Sequence, residues 1–195
     1  MKVLKRIFIA IGMIPVLMVA FYLLQWSIVY IGALFNPNPQ GPSIKYAEFP
    51  FRLEYKINDE YMVVEDTLIC EYDGIEVDVA VGKYRKWKSY LASGNEKIVL
   101  QQTNSTFGFA APSKKANLTI YYDSGPVWYY LGNPDGITYE YDFPNASFLD
   151  QYIGGGGSTY GVIYADELLD QYGIELISWE IAPPIENTFK STERR

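Results

Sequence analysis

The sequence predicts a mainly β protein, an antiparallel β-sandwich or open barrel with one short helix near the C-terminus, preceded by one N-terminal transmembrane helix. Three observations predict it. Apolar and polar residues alternate with period two over much of residues 47–186, turn-forming pairs such as Asp73-Gly74 punctuate those runs, and a long uncharged apolar stretch lies near the N-terminus.

That stretch, from Ile7 to Phe35, carries no charge and is interrupted only by Pro15, Gln25 and Ser27. A helix needs about 20 apolar residues to cross a hydrocarbon core of ~30 Å, so the run suffices with residues to spare. Tyr22, Trp26 and Tyr30 are amphipathic aromatics of the kind that gather at a membrane interface, and they mark the outer end of the span. Pro15 removes one helical hydrogen bond. Lys2, Lys5 and Arg6 precede the span, while only Lys45 follows closely. The positive-inside bias then makes residues 1–6 a cytoplasmic tail, residues 7–35 a signal-anchor, and the remainder a domain outside the cell membrane. A cleaved signal peptide is the rival, with Ile31-Gly32-Ala33 as its cleavage site, but its apolar region would span only about 7–15 residues. A lipoprotein anchor is excluded, because no cysteine stands near the end of the apolar run.

Residues 36–46 form a linker that includes Pro37, Pro39 and Pro42. Proline at this density predicts an extended spacer that lifts the domain by ~20–25 Å, at about 3.1 Å per residue. The outer domain starts near Ala47 and runs to residue 186. In it Leu53, Tyr55 and Ile57 interleave with Arg52, Glu54 and Lys56, and Ile75, Val77, Val79 and Val81 interleave with Glu76, Asp78 and Ala80. Further strands are predicted from Met62 to Tyr72, Trp87 to Leu91, Ile98 to Gln102, Leu118 to Tyr122, Val127 to Leu131 and Ile137 to Tyr141. Turns are predicted at Asp73-Gly74, Ser93-Gly94-Asn95, Ser124-Gly125-Pro126 and Asn133-Pro134-Asp135-Gly136. One helix is predicted over Ala165 to Tyr172, opened by Asp166 and Glu167 at the positive end of its dipole and closed by Gly173 in the left-handed conformation. A last strand, Ile174 to Ile181, leads to Pro183-Pro184, and residues 187–195 read as a frayed polar tail.

Charge and composition exclude several functions. Of the 16 basic residues only four precede residue 47, which leaves 12 against all 23 acidic ones and a net charge of −11 on the outer part. A phosphate backbone repels such a domain, so nucleic acid is not a partner. The chain has no histidine, which removes Ser-His-Asp and Cys-His nucleophile sets, the H-E-x-x-H zinc site, and imidazole as a general base. Cys70 is the single cysteine and reads as a buried hydrophobe. Without an internal disulfide, the domain fits a Gram-positive bacterial surface better than an animal one.

Candidate chemistry is sparse. Gly154-Gly155-Gly156-Gly157-Ser158-Thr159 invites a phosphate-cradling reading, but no lysine follows and no G-x-G-x-x-G register fits, so a flexible loop is expected and no cofactor. Acids gather at Glu65, Asp66, Glu71, Asp73, Glu76 and Asp78. Paired carboxylates roughly 5–9 Å apart can hydrolyse glycosides and oxygen clusters can hold Ca²⁺, yet the face of a solvated strand explains them as well, and no metal site is expected. Lys83, Tyr84, Arg85, Lys86, Trp87 and Lys88 form the candidate binding segment, since cations between aromatic faces can hold an anionic glycan, a wall polymer or lipid headgroups. An edge strand guarded by lysines would show the same residues. The 18 tyrosines and four tryptophans fit either sugar-binding platforms or ordinary sheet packing, and Asn104, Asn117 and Asn145 head N-x-[ST] triplets.

In Phe49-Pro50-Phe51-Arg52-Leu53-Glu54-Tyr55, Val64-Glu65-Asp66-Thr67-Leu68-Ile69-Cys70-Glu71, Gly82-Lys83-Tyr84-Arg85-Lys86-Trp87, Ala165-Asp166-Glu167-Leu168-Leu169 and Ile177-Ser178-Trp179-Glu180-Ile181 with Pro183-Pro184, the chain resembles a group of uncharacterised membrane-anchored proteins of Firmicutes. The resemblance implies a host and a compartment and no activity. The expectation is therefore a tethered surface module that binds a cell-wall polymer or a membrane protein partner, with the lipid bilayer engaged through Ile7–Phe35. A carboxylate-dependent glycan hydrolase, and an accessory subunit of a transport or signalling complex acting through the anchor, are the alternatives.

Overall fold

The computed structural model describes residues 2–78, 80–105, 116–134, 138–153 and 157–190. In chain order it contains α1 (Lys2–Phe35), β1 (Gly41–Pro42), β2 (Tyr46–Ile57), β3 (Glu60–Asp78), β4 (Gly82–Leu91), β5 (Ile98–Ser105), β6 (Ala116–Tyr122), α2 (Val127–Tyr130), β7 (Ala146–Tyr152), β8 (Ser158–Ile163), α3 (Ala165–Tyr172), β9 (Ile174–Ile181) and β10 (Phe189–Lys190). The protein is mainly β, with an apolar helix at its N-terminus and a short helix near its C-terminus. The chain divides into two compact units, one taking in α1, the linker to Gly41 and Asp73–Lys86, the other Pro42–Tyr72 and Trp87–Phe189.

In the first unit, α1 is long and apolar enough over Gly12–Phe35 to cross a membrane, and among its described side chains there only Ala33 is buried. Tyr22, Trp26 and Tyr30 recur at four-residue steps and so share one helix face, with the Tyr22 and Trp26 rings edge-on at 6.3 Å. Ser27 satisfies its hydroxyl within the helix by donating to the Leu23 carbonyl at 2.8 Å. Beyond the helix, the linker is held by the β3–β4 hairpin and does not stand free as a spacer. The Arg85 Nε donates to the Gln40 carbonyl at 2.6 Å, and the Asn36 side chain lies so close over Gly82 that a Cβ there would meet its Nδ2 at 2.5 Å.

The second unit is built on two four-stranded antiparallel sheets, ordered β4-β3-β2-β9 and β5-β6-β7-β8, that share one core. Period two explains which side chains enter it: Phe49, Phe51, Leu53 and Tyr55 alternate inward along β2, and Ala116, Leu118, Ile120 and Tyr122 along β6. On β9 the period breaks. Tyr55 pairs with Leu176 and Glu54 with Ser178, so Ile177 is an extra residue, a bulge. It resets the phase so that Trp179 and Ile181 stand opposite Leu53 and Phe51; unbroken alternation from Leu176 would turn Ser178 and Glu180 inward instead. Trp179 then packs on Phe51 at 5.1 Å and on Tyr122 at 4.7 Å between ring centroids.

Several elements differ from the sequence expectation. Asp73-Gly74 is not a hairpin turn: β3 runs through it, with Gly74 at a φ of 95°, and continues to Asp78. The tight turn lies earlier, at Asn58 and Asp59, whose φ values of 50° and 67° join β2 to β3. Val127–Tyr130 is a helix and not a strand; Pro126 precedes it, and Tyr130 and Leu131, both buried, need the short turn to enter the core together. Residues 138–141 are not a strand either. The Tyr139 and Tyr141 rings pack with one another at 5.3 Å and against Tyr129 at 5.2 and 6.0 Å, so side-chain stacking takes the place of a ladder. Strands β7 and β8 were not anticipated. The glycine-rich segment expected as a loop joins them, and its residues 154–156 lie outside the described residues.

The helix α3 follows expectation over its whole length, with Gly173 left-handed at its C-terminus (φ 64°) and the Gly173 amide donating to the Leu169 carbonyl. Its N-terminus borrows a cap: Asn145, ahead of β7, accepts from the Ala165 amide at 3.0 Å. The C-terminal segment is not frayed through residue 190. Ser43 donates to the Thr188 carbonyl at 2.8 Å, and Asn187 bonds both the amide and the carbonyl of Ile44.

Candidate functional site

The basic segment Lys83–Lys88 lies on β4, the edge of its sheet, where lysine blocks further strand pairing. Alternation splits it between two faces. Lys83, Arg85 and Trp87 share one face, and Arg85, only 9% exposed, spends its guanidinium on the linker carbonyl. Tyr84, Lys86 and Lys88 share the other, where Lys86 lies 3.6 Å from Asp73 and 3.8 Å from Glu76, and Lys88 sits 5.3 Å above the Tyr90 ring. Trp87 packs edge-on against Tyr72 at 5.4 Å. The six residues are therefore not gathered into one cationic face.

Each acid of the 65–78 cluster also has a structural partner. Glu65 pairs with Arg52 at 2.9 Å, Asp66 accepts from the Thr67 and Ser93 amides, and Glu71 accepts from the Tyr90 hydroxyl at 2.8 Å. Asp73 and Glu76 flank Lys86, Glu76 also takes the Tyr84 hydroxyl and thereby raises that phenol's pKa, and Asp78 closes its turn by accepting from the Ala80 and Val81 amides. Arg52, Glu65, Asp66 and Glu180 do border an open depression of about 630 Å³. Glu65 and Glu180 are exposed and Asp66 is held by backbone amides, so among the described residues this depression has no fully buried acid to donate a proton.

The tyrosines divide. Tyr122, Tyr130, Tyr141, Phe143, Phe49 and Trp179 belong to the core cluster or pack on it, and burial pushes the Tyr122 and Tyr130 phenols well above their ordinary pKa. The Tyr130 hydroxyl donates to the Ser124 carbonyl and meets the Tyr141 hydroxyl at 3.3 Å. Core packing thus accounts for these rings.

One site has no counterpart in the sequence reading. Along β7 the inward positions are Ala146, Phe148, Asp150 and Tyr152, so a carboxylate occupies a place that the pattern reserves for apolar side chains. Asp150 is 3% exposed, and its Oδ1 has no hydrogen-bond partner among the described residues. Burial raises its pKa above the ordinary aspartate value. Across the sheet it stands between Leu118 and Thr159, and these three side chains form one row on the inner face. In the next row Phe148 is opposite Gly161, and a Cβ on Gly161 would meet the Phe148 ring at 2.8 Å, so the glycine makes room for that ring. With Glu167 and Tyr172 of α3, these residues line a pocket of about 360 Å³. Leaving a buried carboxylate oxygen without a partner costs roughly 1–3 kcal/mol, and perturbed acids in clefts are where function concentrates. Sequence reading missed it because neither β7 nor β8 was expected, and Asp150 among Leu149 and Gln151 looks like any surface acid.

Among families of proteins, curated proteins and solved structures, none matches this chain.

Proposed function

We propose that the protein is a membrane-tethered binding module whose β domain lies outside the cytoplasm, on a Gram-positive type of surface, and engages a wall polymer or a membrane partner protein. The observation that carries this reading is the exposed apolar face of α1: a helix of this length that leaves its large apolar side chains from Met13 to Phe35 exposed is unstable in water and at home in lipid. The basic residues ahead of it favour an inside N-terminus. Binding is favoured over glycoside hydrolysis by the paired state of the acids at 65–78.

Protease added to intact wall-stripped cells tests the topology. Digestion of the β domain, with the N-terminus protected until lysis, is the expected result; a domain protected in intact cells and digested only after lysis rejects the reading. Replacing Ile7–Phe35 with an unrelated span distinguishes a tether, which survives the swap, from an accessory subunit acting through its helix.

A further inference from the structure

We propose that the pocket between α3 and the inner face of the β6-β7-β8 sheet binds a small primary ammonium compound, with Asp150 as the counter-ion. The proposal deepens the binding reading above and rests on it.

The chemistry of the pocket favours a cation. Asp150 is buried, lacks a partner for Oδ1, and lines the cavity. A second carboxylate, Glu167, lines the same space, and no lysine or arginine does. Within low-dielectric walls such a pair attracts positive charge and repels anions. The remaining walls suit an organic ammonium better than a metal ion. Leu118 and Phe148 supply apolar surface, Phe148 and Tyr172 bring aromatic rings of the kind that attract a cation, and Thr159 adds a hydroxyl. Among the described residues no group of three or more metal-ligating side chains exists, so the oxygens that a bare divalent ion demands are not assembled. A volume of about 360 Å³ is at the small end of ligand pockets and suits a compound of on the order of ten heavy atoms.

The ammonium would donate to Asp150 Oδ1 at the base of the pocket, and its apolar body would lie on Leu118 and Phe148. A neutral isostere keeps the apolar contacts and loses the charge pairing. An anionic analogue adds repulsion from both carboxylates.

The test uses the full-length protein in micelles, with benzylammonium, benzyl alcohol and benzoate as probes, read by the amide chemical shifts of Asp150 and Thr159. Saturable shifts with benzylammonium are expected, with affinity about tenfold weaker for benzyl alcohol and no saturation with benzoate. Asp150→Asn, which keeps the shape, is expected to weaken benzylammonium about tenfold, and Glu167→Gln, at the rim, two- to threefold. Equal affinity for benzylammonium and benzyl alcohol, an unchanged affinity in Asp150→Asn, or no benzylammonium shift up to about 20 mM overturns the proposal. Should Asp150→Asn lose its native spectrum, Glu167→Gln decides: unchanged affinity there counts as refutation. The topology experiment is independent of these outcomes, so an empty pocket on a correctly oriented domain defeats this inference and leaves the tether reading standing.

Discussion

Phe148 lies over Gly161 across the β7–β8 ladder, with its ring so near the glycine backbone that an added Cβ would stand 2.8 Å from Cε1. Gly161→Ala must therefore displace an aromatic ring that forms one wall of the Asp150 pocket. The expected cost is about 1–3 kcal/mol, the usual range for overpacking, measured by denaturant unfolding of the detergent-solubilised chain. An unchanged midpoint would mean that Phe148 moves freely and that the wall is not fixed.

Deleting Ile177 tests the bulge. Without the extra residue, Ser178 follows Leu176 directly, and unbroken alternation keeps Trp179 and Ile181 inward, whereas inserting an alanine between Ser178 and Trp179 turns both out of the core. The insertion is expected to cost about 3–5 kcal/mol, comparable to truncating a buried aromatic, together with a large change in tryptophan fluorescence. The Ile177 deletion, which preserves the phase of Trp179, should cost far less.

Asn145 holds two elements at once, accepting from the first amide of α3 and donating to the Asp142 carboxylate at 2.9 Å. Asn145→Ala should destabilise by about 1 kcal/mol, the typical value of a lost cap, with α3 amides exchanging faster than those of β6. Exchange that accelerates evenly through the domain would contradict this local role.

The Cys70 thiol is wholly buried, and desolvation pushes its pKa up to about 12. Labelling by iodoacetamide at neutral pH should then be negligible in the folded protein and should follow the unfolding transition through denaturant. Rapid labelling in native conditions would show that the core opens locally there.

Asp150 makes stability depend on pH in a defined direction. Its folded pKa is raised by burial, so the folded state holds the proton more tightly than the unfolded chain does. The resulting stability is fully present below the ordinary aspartate pKa, and is lost as pH rises from there through the raised folded value. Asp150→Asn should show a flatter profile and be more stable than the parent above that window, by about 1 kcal/mol. Glu167, Tyr172 and Tyr152 are the other titratable groups nearby, and burial raises the Tyr172 phenol further above its ordinary value, so it stays neutral throughout the window. A parent profile that parallels the variant's would mean that Asp150 is solvated.

The apolar N-terminal helix, the β class, the helix over Ala165–Tyr172 and its Gly173 terminus were legible in the sequence, because each is set by neighbours a few positions apart. A run of uncharged residues must leave water, alternation assigns two faces, and glycine takes a left-handed φ at low cost. Even the Asn58-Asp59 turn was readable in principle, since both residue types tolerate positive φ, but the Asp-Gly pair at 73–74 carried the stronger signal and misled.

What only the tertiary structure decided depends on pairing between distant segments. Val127–Tyr130 has the β-branched and aromatic composition of a strand, yet forms a helix because Tyr130 and Leu131 must reach the core from one short turn. The alternating charges of Lys83–Lys88 became two faces of an edge strand, one of them tied to the linker, once β4 took its place beside β3. Asp150 became a buried carboxylate only when β6 and β8 closed on either side of β7, for the environment of a side chain is made by strands that the local sequence does not contain.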